Sequence, residues 1–187
     1  MSLPNHIPQG LENGRVRDLM ELDERDFRIE DIARRLAQLN RYAGALAHPY
    51  SVATHSVVVS LLCPPEFARA GLLHDITESF GIGDLISPIK RLMPAFNEIE
   101  HAIRVQLAGP FGLTGVEAPE VRRADERAYQ LECRYIRGDW PLPQHTSFEP
   151  WYPTDEEHEI AMRFMKFEIS WRESARLFLQ RYEELSK

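Results

Sequence analysis

Apolar residues recur at intervals of three and four along most of this chain, and each such run predicts a helix. Ile29, Ile32, Leu36 and Leu39 set the first, with Arg41 and Tyr42 in its last turn and Gly44 as its stop. A second covers residues 52–62 and ends at Pro64 and Pro65; its His55, Val59 and Leu62 share one face. A third, over residues 66–80, puts Phe67, Gly71, His74 and Glu78 on one side, with Gly71 permitting close approach of another helix. The fourth, 95–107, is striped by Phe96, Ile99, Ile103 and Leu107 and reads as structural, and residues 109–118 follow as a glycine-rich linker. Pro119 opens a fifth helix, to about residue 137, with Asp125, Ala128, Glu132 and Tyr135 along one side.

Two capping boxes, Thr154 with Glu157 and Ser170 with Glu173, begin the last helices. Ile160, Phe164, Phe167 and Trp171 stripe one of these, and Phe178, Tyr182 and Leu185 the other. Residues 138–153, rich in proline, form a loop that packs over the domain, and residues 1–27 form an arm laid on it, with short strand or turn pieces at most. No strand alternation of useful length and no internal repeat occur, so the expected architecture is all-α: six to eight helices around one core over residues 28–187.

Composition narrows the class without naming a function. The 187 residues suffice for one domain, and 43% apolar with 27% charged residues is ordinary for a globular protein. A net charge of -7 argues against long nucleic acid, which needs a basic face. Cys63 and Cys133 have no ligand-like spacing and read as buried free thiols, and neither a signal peptide nor a membrane span is apparent, so the expected location is the cytoplasm, with no membrane partner.

The chemistry gathers around residues 71–90. His74 and Asp75 are adjacent, Glu78 lies one turn on, and the glycine-flanked segment from Gly81 to Gly83 presents Asp84. His55 points inward among apolar neighbours, and the small Ala124 and Ala128 make Asp125 an inward acid. On its own each has an ordinary explanation: a core histidine, or an aspartate on a solvated face. Together, an inward polar face needs either a hydrogen-bond network or a metal, because an unpaired buried polar group costs about 2–7 kcal/mol. Two imidazoles and two carboxylates suit Mn, Fe, Co, Ni or Zn better than calcium. The remaining histidines, His6, His48, His101, His145 and His158, read as surface or packing residues.

The blocks GRVRDL, IEDIARRL, RYAG, YSVATHSVVVS, LLHDITES, GDLISPIK and ADERAYQLE, in that order between Gly14 and Glu132, resemble the HD-domain metal-dependent phosphohydrolases. The similarity is to their deoxynucleotidase-like branch, which includes bacterial 5'-deoxynucleotidases and phage dATP triphosphohydrolases. It implies His55, His74, Asp75 and Asp125 as ligands of one divalent transition metal, with a further Mg or Mn ion accompanying a triphosphate substrate. It also implies Glu78 as the residue that positions or deprotonates water, Asp84 as an aid to proton transfer at the leaving oxygen, Arg41 and Lys90 as phosphate contacts, and Tyr42 as a contact to the base. The FGIGD segment is one residue longer than the family pattern. The partner so implied is a small nucleotide, and the assembly a homodimer or larger homo-oligomer. The same residues admit another nucleotide phosphoester, cyclic or alarmone, as substrate, or a metal-stabilised domain that binds without turnover.

Overall fold

The computed structural model describes residues 5–11, 14–85, 87–90, 92–138 and 151–187. Most of the expected proline-rich loop, with His145, lies outside the described residues. The fold is all-α. Its helices are α1 (Ile29–Gln38), α2 (Val52–Leu62), α3 (Ala68–Leu73), α4 (Ser87–Lys90), α5 (Pro94–Phe111), α6 (Pro119–Glu132), α7 (Asp155–Phe164) and α8 (Trp171–Glu184). Two three-residue strands, β1 (Pro8–Gly10) and β2 (Val16–Asp18), pair antiparallel with Gln9 opposite Arg17. Among the described residues no helix is long and apolar enough to cross a membrane.

The axis of the fold is α2, packed against α1, α3, α6, α7 and α8. Every residue of it except Leu61 is buried, which explains why VATHSVVVSLL is apolar or small on all sides rather than amphipathic. Its small polar groups find partners inside: Thr54 Oγ1 donates to Ser174 Oγ of α8 at 2.9 Å, and Ser60 Oγ to the Ala68 carbonyl at 2.8 Å. At the crossing with α3, a Cβ on Gly71 would sit 2.6 Å from Cys63 Sγ and 3.3 Å from Ser60 Cα, so only glycine lets the two helices meet there. Cys63 and Cys133 are buried thiols outside any disulfide.

The N-terminal hairpin is fastened at two places. Gln106 of α5 accepts from the Leu22 amide at 2.7 Å and donates to the Leu19 carbonyl at 3.0 Å. Arg17, buried, donates to Gln9 Oε1 at 2.6 Å and to the Ser79 carbonyl at 3.3 Å, with its guanidinium 4.4 Å from the Phe80 ring centre.

Three boundaries differ from the periodic expectation. The first helix ends at Gln38, so Arg41 and Tyr42 are not in its last turn. Leu39 and Asn40 turn extended, because the chain pairs instead with the segment before α2: the Val52 amide donates to the Leu39 carbonyl and the Arg41 amide to the Tyr50 carbonyl, both at 2.9 Å. The expected helix over residues 66–80 breaks at His74 and Asp75 and resumes as a 3-10 turn, Ile76–Phe80, closed by Gly81 at φ 84. Finally α5 runs past the expected linker start to Phe111, because that residue continues the Ile103 and Leu107 stripe into the core and meets Phe27 edge-on. Thr154 and Glu157 form the reciprocal box, whereas Ser170 caps Glu173 N alone, the Glu173 carboxylate being taken by Arg176.

Candidate metal centre

Three elements bring two imidazoles and two carboxylates to one point. Central α2 supplies His55, the break after α3 supplies His74 and Asp75, and α6 supplies Asp125. His55, His74 and Asp125 each offer a ligand atom, all within 4.8 Å of one another, and this cluster can hold a metal ion. His55 Nε2 lies 3.0 Å from Asp125 Oδ1, His74 Nε2 lies 3.9 Å from the same oxygen, and the two ring centres are 5.3 Å apart. Asp75 Oδ2 lies 3.1 Å from His74 Nε2 and 3.8 Å from His55 Nε2. Asp125 faces solvent, its side chain 46% exposed, while His55 is fully buried.

The far nitrogen of each ring is committed. His55 Nδ1 donates to Glu132 Oε1 at 2.7 Å, and His74 Nδ1 to the Gly71 carbonyl at 2.7 Å. A ring whose Nδ1 carries the donated proton turns Nε2 inward as a lone pair or as a second N–H. Both Nε2 atoms are buried without a well-formed hydrogen bond, although carboxylate oxygens are close by. Such a donor set can hold a cation.

The electrostatics agree. Burial and Arg41 oppose charge on His55, yet Glu132 and Asp125 outweigh them and raise it to about 9. Burial opposes charge on His74 as well, and Asp75 raises it. The carboxylates move the other way: enclosure of Asp75, and of the inner side of half-exposed Asp125, works against ionisation, but His74 and His55 hold both below the usual range. Positive charge is therefore favoured at the centre, and a divalent ion would displace protons from the imidazoles on binding.

Glu78 follows Asp75 in the 3-10 turn, where residues three apart eclipse, so the two carboxyls fall on one side. It is buried, Oε2 has no hydrogen-bond partner among the described residues, and burial with the neighbouring Asp75 and Asp84 pushes its carboxyl well above the usual range. Lys90 Nζ stands 3.7 Å from Glu78 Oε1 and 3.5 Å from Glu100 Oε1, so its charge is divided between two acids. Asp84 is half-buried, and burial raises its carboxyl despite the attraction of Arg41. Left-handed Gly81 and Gly83 bend the longer loop so that Asp84 remains within electrostatic reach of Asp75, Arg41 and His55.

Arg41 and Tyr42 occupy a separate turn, Arg41–Gly44, in which Tyr42 and Ala43 hold φ of 57 and 51. Two consecutive non-glycine residues in this region cost about 1–3 kcal/mol each, a strain that the surroundings must hold. What holds it is Glu132, the residue the periodic reading placed beside Asp125 without a role. Fully buried, its Oε2 accepts from Arg41 Nε at 3.3 Å, from Arg41 Nη2 at 3.2 Å and from the Tyr42 hydroxyl. The signal was present in the sequence: Glu132 follows Asp125 by seven residues, two helical turns, on the side lined by Ala124 and Ala128.

No family model matches the chain. Two relatives do. The uncharacterized protein YfdR of Escherichia coli K12 is 40% identical over 126 residues, which cover 65% of this chain and 70% of YfdR. The chain belongs to the YfdR family. A second member, an uncharacterized protein of Rhodobacter capsulatus, is 33% identical over 148 residues, 70% of this chain and 73% of that one. Neither relative's name states an activity, so what this YfdR-family chain does has to be argued from the centre just described.

Proposed function

We propose that this protein is a metal-dependent phosphohydrolase acting on the phosphate esters of deoxynucleotides. The observation that carries the reading is the pair of buried Nε2 atoms, each with its Nδ1 committed elsewhere, facing two ionised carboxylates, with an arginine and a buried acid alongside. A structural metal would need neither of the last two.

His55, His74, Asp75 and Asp125 would hold one transition metal of the Mn, Fe, Co, Ni or Zn group. A divalent ion there lowers the pKa of water and neutralises charge on a phosphoryl group. Glu78 would take the proton from the attacking water at Oε2 and release it to solvent after turnover, while the proton for the leaving group comes from elsewhere in the site. Lys90, shared between Glu78 and Glu100, acts mainly by holding Glu78 in place. Arg41 stabilises the phosphoryl oxygens through the part of its fork not spent on Glu132. Asp84 hands a proton to the leaving oxygen. Tyr42 stands next to Arg41 at the side where the nucleoside would extend.

The test is a panel of deoxy- and ribonucleoside mono- and triphosphates with Mn or Co, phosphate and tripolyphosphate being followed separately. Metal-dependent release from a deoxynucleotide that vanishes in His74→Ala is expected. Turnover absent across the panel, from protein shown to carry metal, would leave a binding domain as the better account.

A further inference from the structure

Glu132 serves two groups of residues with its two oxygens. Oε1 accepts from His55 Nδ1, on the metal side, and Oε2 accepts from Arg41 and Tyr42, on the side where a substrate would lie. The carboxylate is fully buried. It sits on the same helix as Asp125, so α6 supplies both a ligand to the centre and the support behind another ligand.

We infer that Glu132 is the positioning residue that couples the metal-binding face to the Arg41–Tyr42 turn, through one oxygen to each. This rests on the metal centre described above, and on the substrate side it deepens the proposed function. The argument is one of acceptors. His55 needs an acceptor behind Nδ1 to present its Nε2 electron pair, and support of this kind typically changes metal affinity 10–100-fold. The strained turn needs an acceptor for three donors, two from Arg41 and one from Tyr42. Only a carboxylate offers acceptors in both directions at once; a glutamine has one oxygen and must turn its NH2 either to Arg41, donor against donor, or to His55 Nδ1. In the second arrangement the imidazole proton moves to Nε2 and the ring cannot ligate.

The variants separate this role from simple filling of space. Glu132→Gln keeps shape and loses one acceptor, whereas Glu132→Asp keeps both acceptors and leaves a gap. Mn and Co affinity would be measured by chelator competition on the full chain, without substrate, with circular dichroism to confirm the fold. Binding of inorganic phosphate to the metal-saturated protein reports on the Arg41 side. The expected order is wild type, then Glu132→Asp, then Glu132→Gln weaker in metal by at least 10-fold, with phosphate binding also reduced in Glu132→Gln at saturating metal. Glu132→Gln equal to wild type in metal affinity, or better than Glu132→Asp, overturns the inference and leaves a packing residue. Should Glu132→Gln fail to fold, Tyr42→Phe decides: removing one donor from Oε2 frees the carboxylate to pull harder on His55 Nδ1–H, and metal binding should tighten a few-fold, whereas an unchanged affinity overturns the coupling. Because metal is titrated alone, a protein that binds metal with the expected order but hydrolyses nothing sinks the phosphohydrolase reading and spares this one.

Discussion

The two acids of the turn that follows α3, Asp75 and Glu78, differ in what they touch, and that difference sets their expected mutational behaviour. Asp75 lies against both imidazoles, while Glu78 has Lys90 at 3.7 Å from one oxygen and, among the described residues, no hydrogen bond to the other. His74→Ala should therefore lose stoichiometric metal, read by elemental analysis of the purified protein. Glu78→Gln should keep metal and lose on the order of 100-fold or more in turnover, the usual scale for a positioned acid or base. Near wild-type turnover in that variant would move Glu78 from proton transfer to support. The sequence-level resemblance pointed at both residues, but their unlike surroundings come only from the break at His74 and Asp75.

Among the elements, the α2–α3 contact and the N-terminal hairpin both act on the segment that carries the site. Gly71→Ala would drive a methyl into Cys63 Sγ and the Ser60 backbone, and overpacking of this kind costs about 1–3 kcal/mol. Because the Gly71 carbonyl also orients His74, the same change should weaken metal binding. The double variant Gly71→Ala, Cys63→Ala should regain part of the stability, since the closest clash is with sulfur; no regain in a denaturant titration would locate the strain in the backbone contact instead. From the other side, Arg17 holds the Ser79 carbonyl and the Phe80 ring just ahead of the Asp84 loop. Arg17→Ala should cost roughly 1–3 kcal/mol through its lost charged hydrogen bonds, and residues 76–84 should exchange amide hydrogens faster while α8 stays protected. Uniform loss of protection across the chain would refute a local clamp.

On the scale of the whole molecule, a centre assembled from α2, the end of α3 and α6 links ion binding to global stability. An ion that binds only the folded state adds about 2.7 kcal/mol at a concentration 100 times its Kd. For a chain of this size that corresponds to roughly 5–10 °C in Tm. Chelator-treated protein should melt lower and recover with Mn or Co, and Asp125→Asn, which changes a solvent-facing ligand with little packing cost, should remove the response. An Asp125→Asn protein that still gains stability from the ion would show that its site lies elsewhere.

What the sequence by itself determined was local or periodic: the all-α class, the helix starts at Pro119 and Thr154, the room for close approach at Gly71, and the inward aim of His55 and His74. These follow from spacing and capping, which act within a few residues. Tertiary structure decided whatever depended on a distant partner. The first helix stops at Gln38 because residues 39–41 pair with 50–52, and its apolar spacing alone does not carry that competitor. The buried state of Glu132 depends on donors about 80 and 90 residues earlier, and the Ser79 carbonyl, ahead of the Asp84 loop, meets an arginine in the hairpin. A carboxylate on a charged helix looks the same in sequence whether it meets water or four donors from three residues; the free energy that distinguishes the two arises only when α6 closes on α2 and the Arg41–Gly44 turn.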